Sequence, residues 1–287
     1  MILGVDIGGS HIGAGLLRGC STIRKASVEA DKRDAACFFN SVVAAIRRVF
    51  NSRVTAIGVG CPGPLDWNKG VIVAPRNLPL RNFMLRERLE SIFKVRVAVD
   101  NDASCAVLAE AVYGAGKGKA VVAGLTLGTG VGGGLVIKSE VYHGAGNASE
   151  FGHTSIGYNG RRCNCGSRGC IEEYASSRGI VRTAKSHGLR VESPKELYRL
   201  ALKGNKKAVG VFRETGFYLG VAVANIINCL SPDIIVVGGK VSGSWRFFHK
   251  SLKEAAYSRS FSKPPIVKAE LVDAGILGSG LIACRRG

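Results

Sequence analysis

The sequence predicts an α/β protein made of two similar domains, and three observations carry that prediction. Residues 2–17 run apolar, then Gly-rich, then apolar again, the pattern of a β-hairpin. Residues 122–137 repeat the design 120 positions later, with Gly4, Gly8 and Gly13 matched by Gly124, Gly128 and Gly133. Between and after these hairpins, strand-like runs alternate with helical periodicity.

The elements follow in order. The first hairpin leads to a helix over 35–50 and a strand over 55–60, closed by the Pro-Gly-Pro turn at 62–64. A helix over 82–93, a short strand over 96–99 and a helix over 103–113 come next. Residues 114–118 hold three glycines and read as a hinge linker before the second hairpin. Helices over 179–186, 194–201 and 208–229 precede a strand over 233–237 that ends in Gly238-Gly239. A last helix over 276–284 is expected to return to the first domain. That division gives one domain of 1–113 plus 273–287 and a larger one of 114–272.

Composition narrows the class. At 46% hydrophobic and 21% charged, the 287 residues supply two cores. No run approaches the ~18 apolar residues of a membrane span. The segment Met1-Ile-Leu-Gly-Val-Asp6 lacks the basic region of an export signal, so a cytoplasmic protein is expected. Six of the nine cysteines (Cys20, Cys37, Cys61, Cys105, Cys229 and Cys284) sit among apolar neighbours and read as small core residues. The net charge of +19 is densest between Arg178 and Arg213, where ten cationic residues face Glu192 and Glu196. On helices this is a solvated face, and without interleaved aromatics it predicts no nucleic-acid partner. It does raise the encounter rate with phosphorylated anions.

The other three cysteines carry chemistry. Between Glu150 and Glu172 lie His153, Cys163, Cys165 and Cys170. One imidazole and three thiolates suit a closed tetrahedral Zn²⁺ site with no position left for water, which is a structural site. The competing reading is a disulfide or a chance cluster. The two hairpin turns offer backbone N–H groups to phosphate oxygens, helped by the hydroxyls of Ser10, Thr126 and Thr129. Asp6 belongs beside phosphates only where Mg²⁺ mediates. At Val99-Asp100-Asn101-Asp102-Ala103 two carboxylates and an amide meet a strand-to-helix junction. One of these three residues is the N-cap candidate, and Asp102 reads either as that cap or as a general base for a substrate hydroxyl. Asn101 also reads as an amide for a polyol, and Asn77 as a second such amide or as a turn residue.

These motifs together resemble the ROK family of sugar kinases and sugar-sensing repressors. The resemblance rests on Asp6-Ile-Gly-Gly-Ser10, Gly60-Cys-Pro-Gly-Pro-Leu-Asp66, Asn77-Leu-Pro79, Asp100-Asn-Asp-Ala103, Leu127-Gly-Thr-Gly-Val-Gly-Gly-Gly134, Glu150-Phe-Gly-His153 and the Cys163–Glu172 run. It implies a two-domain, actin-like (RNase H-like) ATPase fold with a central cleft and a zinc loop. It implies that Asp102 is the catalytic base for the 6-hydroxyl of a hexose, most often glucose. Asn77, Asn101, Glu150, His153 and Glu172 match sugar contacts. Gly8, Gly9, Ser10, Thr129, Gly130, Gly238 and Gly239 match the ATP loops, and Asp6 matches the carboxylate near Mg²⁺. His153, Cys163, Cys165 and Cys170 match the zinc ligands. A homodimer or a dimer of dimers is implied as well.

Three positions depart from the pattern: Lys240 follows Gly238-Gly239, Leu80 follows Asn-Leu-Pro, and Ser104-Cys105 follows Ala103. Fructokinase and N-acyl-aminohexose kinase are the alternatives within the enzyme class. A repressor is disfavoured because the first hairpin begins at Ile2, ahead of which a helix-turn-helix would have to sit. A hydrolase built on the Cys/His cluster is disfavoured by the closed ligand shell.

Overall fold

A computed structural model describes residues 1–285. The chain divides into two compact units, one holding residues 1–118, 134–149 and everything described from Glu270 onward, the other 119–133 and 150–269.

In the first unit, β1 (Ile2–Ile7), β2 (His11–Arg18) and β3 (Ser21–Glu29) form an antiparallel meander. Helix α1 (Ala35–Arg47) follows, its first turn capped by the Asp34 carboxylate accepting from the Cys37 N–H at 2.7 Å. Next come β4 (Ala56–Cys61) and the short strands β5 (Leu65–Asp66), β6 (Val71–Ile72) and β7 (Phe83–Met84). Helix α2 (Leu85–Phe93), β8 (Arg96–Asn101) and α3 (Asp102–Tyr113) complete this stretch. The main sheet has the order β3-β2-β1-β4-β8, with β1, β4 and β8 parallel. All six residues of β4 are buried, as expected for a strand covered on both faces. Leu3, Val5 and Ile7 of β1 join Phe38, Val42 and Ile46 of α1 and Leu85 and Leu89 of α2 in one core.

The second sheet begins with β9 (Val121–Leu127), β10 (Val131–Ile137) and β11 (Glu140–Val141). Four helices follow: the single turn α4 (Glu172–Ala175), α5 (Ser177–Ser186), α6 (Pro194–Leu202) and the long α7 (Lys206–Leu230). Then come β12 (Ile234–Gly238), α8 (Trp245–Tyr257), β13 (Ile266–Lys268) and α9 (Ala274–Arg285). The sheet order is β11-β10-β9-β12-β13, with β12 parallel to both β9 and β13. In the second unit α7 packs along α8, burying Phe212, Leu219 and Val223 with Phe248 and Leu252. The ten cationic residues of 178–213 all lie exposed on or beside α5, α6 and α7, which fits a solvated face.

Helix α9 belongs to the first unit and packs on α3, β1 and β4. The approach is so close that a Cβ at Gly58 would overlap the Ser279 carbonyl, and one at Gly278 the Cys105 carbonyl. Both glycines therefore set how near α9 lies to the strand and helix that carry Gly60 and Asp102.

Several expectations change. Of the six cysteines read as core residues only Cys61 and Cys105 are buried, while Cys37 is half-buried and Cys20, Cys229 and Cys284 are exposed. The helix anticipated over 82–93 starts only at Leu85, because Asn82 is left-handed (φ 44°) and Phe83 pairs with Ile72 in the small sheet. Strand β3 and helix α8 were not anticipated. In β3 polar residues dominate an edge position, so its alternation is faint. No helix among the described residues is long and apolar enough to cross a membrane.

Glu110 of α3 is 2% exposed, and its carboxylate accepts the N–H groups of Ala115, Glu270 and Leu271 at 3.0, 3.0 and 2.8 Å. It thus pins two separate chain segments of the first unit to α3. Glu110→Ala would orphan these three donors, and a loss of about 3 kcal/mol or more is expected, since each buried unmet donor costs ~1–3 kcal/mol. Urea denaturation of this variant beside Glu110→Gln, which keeps an acceptor oxygen, checks the expectation.

Candidate active site

Strand register brings the first group of residues together. Asp6 of β1 pairs with Gly60 of β4, and Gly60 pairs with Asp100 of β8, so both carboxylates stand at one level near the C-terminal ends of three parallel strands. In open α/β sheets that edge is where ligands bind. Asp100 is buried, and its Oδ1 accepts the Asn101 N–H at 2.8 Å. Asn101 then caps α3, its Oδ1 accepting the Ser104 N–H at 3.0 Å.

The cap is therefore Asn101, and the N-cap reading of Asp102 does not hold. Asp102 is the first residue of the helix, half-buried, with Oδ1 accepting from its own neighbour Ala103 at 2.9 Å. The helix dipole favours an ionised carboxylate there. Asn101 gives its oxygen to the helix, which leaves the amide nitrogen outside the cap.

The buried thiols around this group are inert. Burial pushes the Cys61 and Cys105 thiols well up, reinforced by the charges of Asp102 and Asp6 at Cys61 and of Asp100, Asp102 and Asp6 at Cys105. They remain protonated packing groups beside the carboxylates. Asn77 is exposed in the turn that follows β6, while its neighbours Leu78 and Leu80 are buried in the core. Leu80, one of the departures, is thus a core residue.

The second unit gathers the other group. Glu150 precedes a 3₁₀ turn, Phe151–His153. Burial of the Glu150 carboxyl raises its pKa, His153 lowers it and Glu172 raises it further, although the residue as a whole remains solvent-exposed. The Glu150 carboxyl is therefore within electrostatic reach of both His153 and Glu172. Glu172 opens α4 but does not cap it; its Oε2 accepts the Val131 N–H at 3.0 Å, just past the Gly-rich turn. In that turn the Gly128 N–H is taken by Gly130 and the Gly128 carbonyl by the Ser177 N–H, which leaves Thr129 exposed at the tip. The matching turn of the first unit spends the Gly8 N–H on the His11 carbonyl, with Gly9 half-buried and Ser10 exposed at its rim. Gly239 is left-handed (φ 83°) and sits against the Leu127 backbone, where a side chain would clash. Lys240 is exposed just after it.

The metal-ligand set assembles as the sequence predicted. One ligand atom from each of His153, Cys163, Cys165 and Cys170 falls within a 4.8 Å cluster. Cys165 and Cys170 have their sulfurs 3.5 Å apart, and Cys163 Sγ lies 3.8 Å from His153 Nδ1. Sulfurs bonded to each other would lie ~2.05 Å apart. Ligands ~2.3 Å from a tetrahedral zinc would sit at about the observed separations. The residues fit the ion. Burial and the neighbouring Cys165 and Cys163 thiols push the Cys170 thiol up to about 12. Nδ1 is the ring nitrogen turned to the sulfurs, which leaves Nε2 for another partner.

Comparison with known proteins now bears on these two groups. The sequence profile of the ROK family matches residues 2–285. The chain belongs to the ROK family. This ROK protein is 34% identical over 311 residues to a glucokinase of Halalkalibacterium halodurans, covering 97% of this chain and 93% of that one. A ROK family glucokinase from Streptomyces griseus, solved in complex with glucose and AMPPNP, matches with a TM-score of 0.89 at 29% identity, over 100% of this chain and 99% of that one. A putative xylose repressor of a Caldicellulosiruptor species is 32% identical over 222 residues, or 72% of this chain but 56% of that protein. With this full-length likeness the ROK protein stands among the ROK sugar kinases, with their actin-like ATPase fold.

One member of the first group escaped sequence reasoning. His143 Nε2 lies 2.9 Å from Asp100 Oδ2, and its ring stacks on Trp67 with centroids 4.0 Å apart and planes at 18°. Nothing local in Tyr142-His143-Gly144 announces this, since the partners lie 43 and 76 positions back in the chain. A buried aspartate at a strand end was the available signal, because such a carboxylate needs a second donor.

Proposed function

We propose that this ROK protein transfers the γ-phosphoryl group of ATP to the 6-hydroxyl of a hexose, with glucose as the first candidate. The observation that supports it most is the position of Asp102: half-buried, at the head of α3, and relieved of capping by Asn101. Such a carboxylate accepts the hydroxyl proton as the oxygen attacks phosphorus, and aligns the nucleophile before it does so. Asn77, Asn101, Glu150, His153 and Glu172 are the proposed sugar contacts. Gly8, Gly9, Ser10, Thr129, Gly130, Gly238 and Gly239 are the proposed nucleotide contacts, with backbone amides meeting phosphate charge. Asp6 would stand beside Mg²⁺, which when bound would offset charge on the transferring group. His153, Cys163, Cys165 and Cys170 would hold Zn²⁺, which supplies loop rigidity and no chemical step.

Transfer of radiolabelled phosphate from γ-labelled ATP, read across glucose, fructose, mannose, N-acetylglucosamine and N-acetylmannosamine, tests this reading. Labelled sugar phosphate is expected, with glucose the best acceptor; fructose or an N-acylated aminohexose in first place would select the alternative kinases. A sugar-responsive regulator is the second reading, favoured by the likeness to the xylose repressor. It predicts xylose binding in calorimetry with no transfer to any sugar.

Glu172→Gln tests the sugar contacts. The amide keeps an oxygen that can accept the Val131 N–H, so the turn should survive. Losing a charge-assisted bond to a sugar hydroxyl should weaken glucose binding by about 1.5–3 kcal/mol. Calorimetry with glucose and separately with an ATP analogue checks it: unchanged glucose affinity with a lowered Tm would make Glu172 a brace for the Val131 turn alone.

A further inference from the structure

His143 lies outside every role assigned above, yet it is the second anchor of Asp100. The Asp100 carboxylate has one oxygen on the Asn101 N–H and the other on His143 Nε2, at 2.8 and 2.9 Å. Asp100 is 1% exposed, so both oxygens depend on protein donors. Asn101 is the cap of α3, and Asp102 is the next residue. The imidazole is in turn fixed flat against Trp67. From its backbone side, the His143 carbonyl accepts the N–H groups of Gly146 and Ala148, which ties the imidazole to the loop leading toward Glu150.

We propose that His143 is a positioning residue for phosphoryl transfer: its Nε2–H, held against Trp67, fixes the Asp100 carboxylate, and through the Asn101 amide it fixes the first turn of α3 that carries Asp102. The chain of contacts is short and contains only one rotatable side chain per link. It rests on the reading of Asp102 as the base. Loss of the His143 bond leaves Asp100 Oδ2 buried with one donor fewer, and the carboxylate is less firmly held. The looser carboxylate lets the Asn101 N–H and the helix head shift. A base displaced by a fraction of an ångström costs transfer rate far more than sugar affinity, because misplacement acts chiefly on the transition-state geometry.

The experiment is steady-state kinetics on four variants of the full chain. His143→Phe preserves the stack on Trp67 and removes the donor; kcat is expected to fall about 10-fold or more with the sugar KM within about twofold. His143→Gln restores an N–H donor and should recover most of that loss, which a packing role would not predict. In Asp102→Asn, adding His143→Phe should cost nothing further, because the residue acts through Asp102. Trp67→Leu loosens the ring while leaving Asp100 intact, and should lower kcat about threefold at constant KM; it decides the matter if the Phe variant does not fold.

Wild-type kcat in His143→Phe, or a loss confined to KM and Tm, overturns the proposal while the Asp102 reading stands if Asp102→Asn is slow. Undiminished kcat in Asp102→Asn overturns both. A further loss from His143→Phe in the Asp102→Asn background would show that His143 acts elsewhere, and overturns the positioning role.

Discussion

Asp102→Asn is expected to fold like the parent protein and to lose at least ~10²-fold in transfer rate, the usual contribution of a positioned general base. The structure makes both halves of that expectation specific. Asn101 caps α3, so the substitution at 102 removes no cap, and the new amide oxygen can still accept the Ala103 N–H. Shape and local hydrogen bonding are therefore preserved while basicity is lost. Sugar and nucleotide affinities should change little, since an amide can still hydrogen-bond a hydroxyl. The check is kcat together with equilibrium glucose binding and Tm. Near-parental turnover would leave Asp102 as one more polar residue at a helix start, and a large drop in Tm would assign it a structural role instead.

Cys165→Ser should strip the protein of zinc and carry the sugar site with it. Cys165 is the exposed cysteine of the ligand cluster, so the change disturbs little packing of its own. A hydroxyl is a poor substitute for a thiolate toward zinc. Affinity should fall by more than the ~10–100-fold that follows loss of an outer hydrogen-bond partner to a metal ligand. The loop is held at both ends by the ligands: His153 follows Glu150 by three residues, and Cys170 precedes Glu172 by two. Metal binding and loop folding are coupled, so Tm and glucose affinity should drop together, and both should fall on chelation of the parent protein. Metal analysis by plasma mass spectrometry, with Tm and calorimetry in parallel, checks it. Full sugar affinity in demonstrably metal-free protein would detach the cluster from the sugar site.

How far the sequence reaches depends on the range of the interaction. The hairpins were legible because their signal is local: apolar runs flanking glycine-rich turns, as at Gly8-Gly9 and Gly128 to Gly130. The His/Cys cluster was legible because three of its four members fall within eight residues. The helix boundary at 82–85 was misplaced because periodicity does not register a left-handed Asn82 or a strand pairing between Phe83 and Ile72. The choice of cap between Asn101 and Asp102 was left open, since both residue types serve and only the backbone at Asn101, extended with φ −67° and ψ 138°, decides it. His143 was out of reach. Its meaning comes from Asp100 and Trp67, which only the folded first unit brings to it.

The central claim is that a hexose 6-hydroxyl is phosphorylated, and phosphorus NMR tests it most directly. Protein loaded with zinc is incubated with MgATP and glucose, and with MgATP and 6-deoxyglucose. With glucose, a phosphomonoester signal coupled to the two C6 protons should grow as ATP is converted to ADP. With 6-deoxyglucose no sugar phosphate should form. A phosphate on any other hydroxyl, or saturable sugar binding with ATP left intact, would contradict the account.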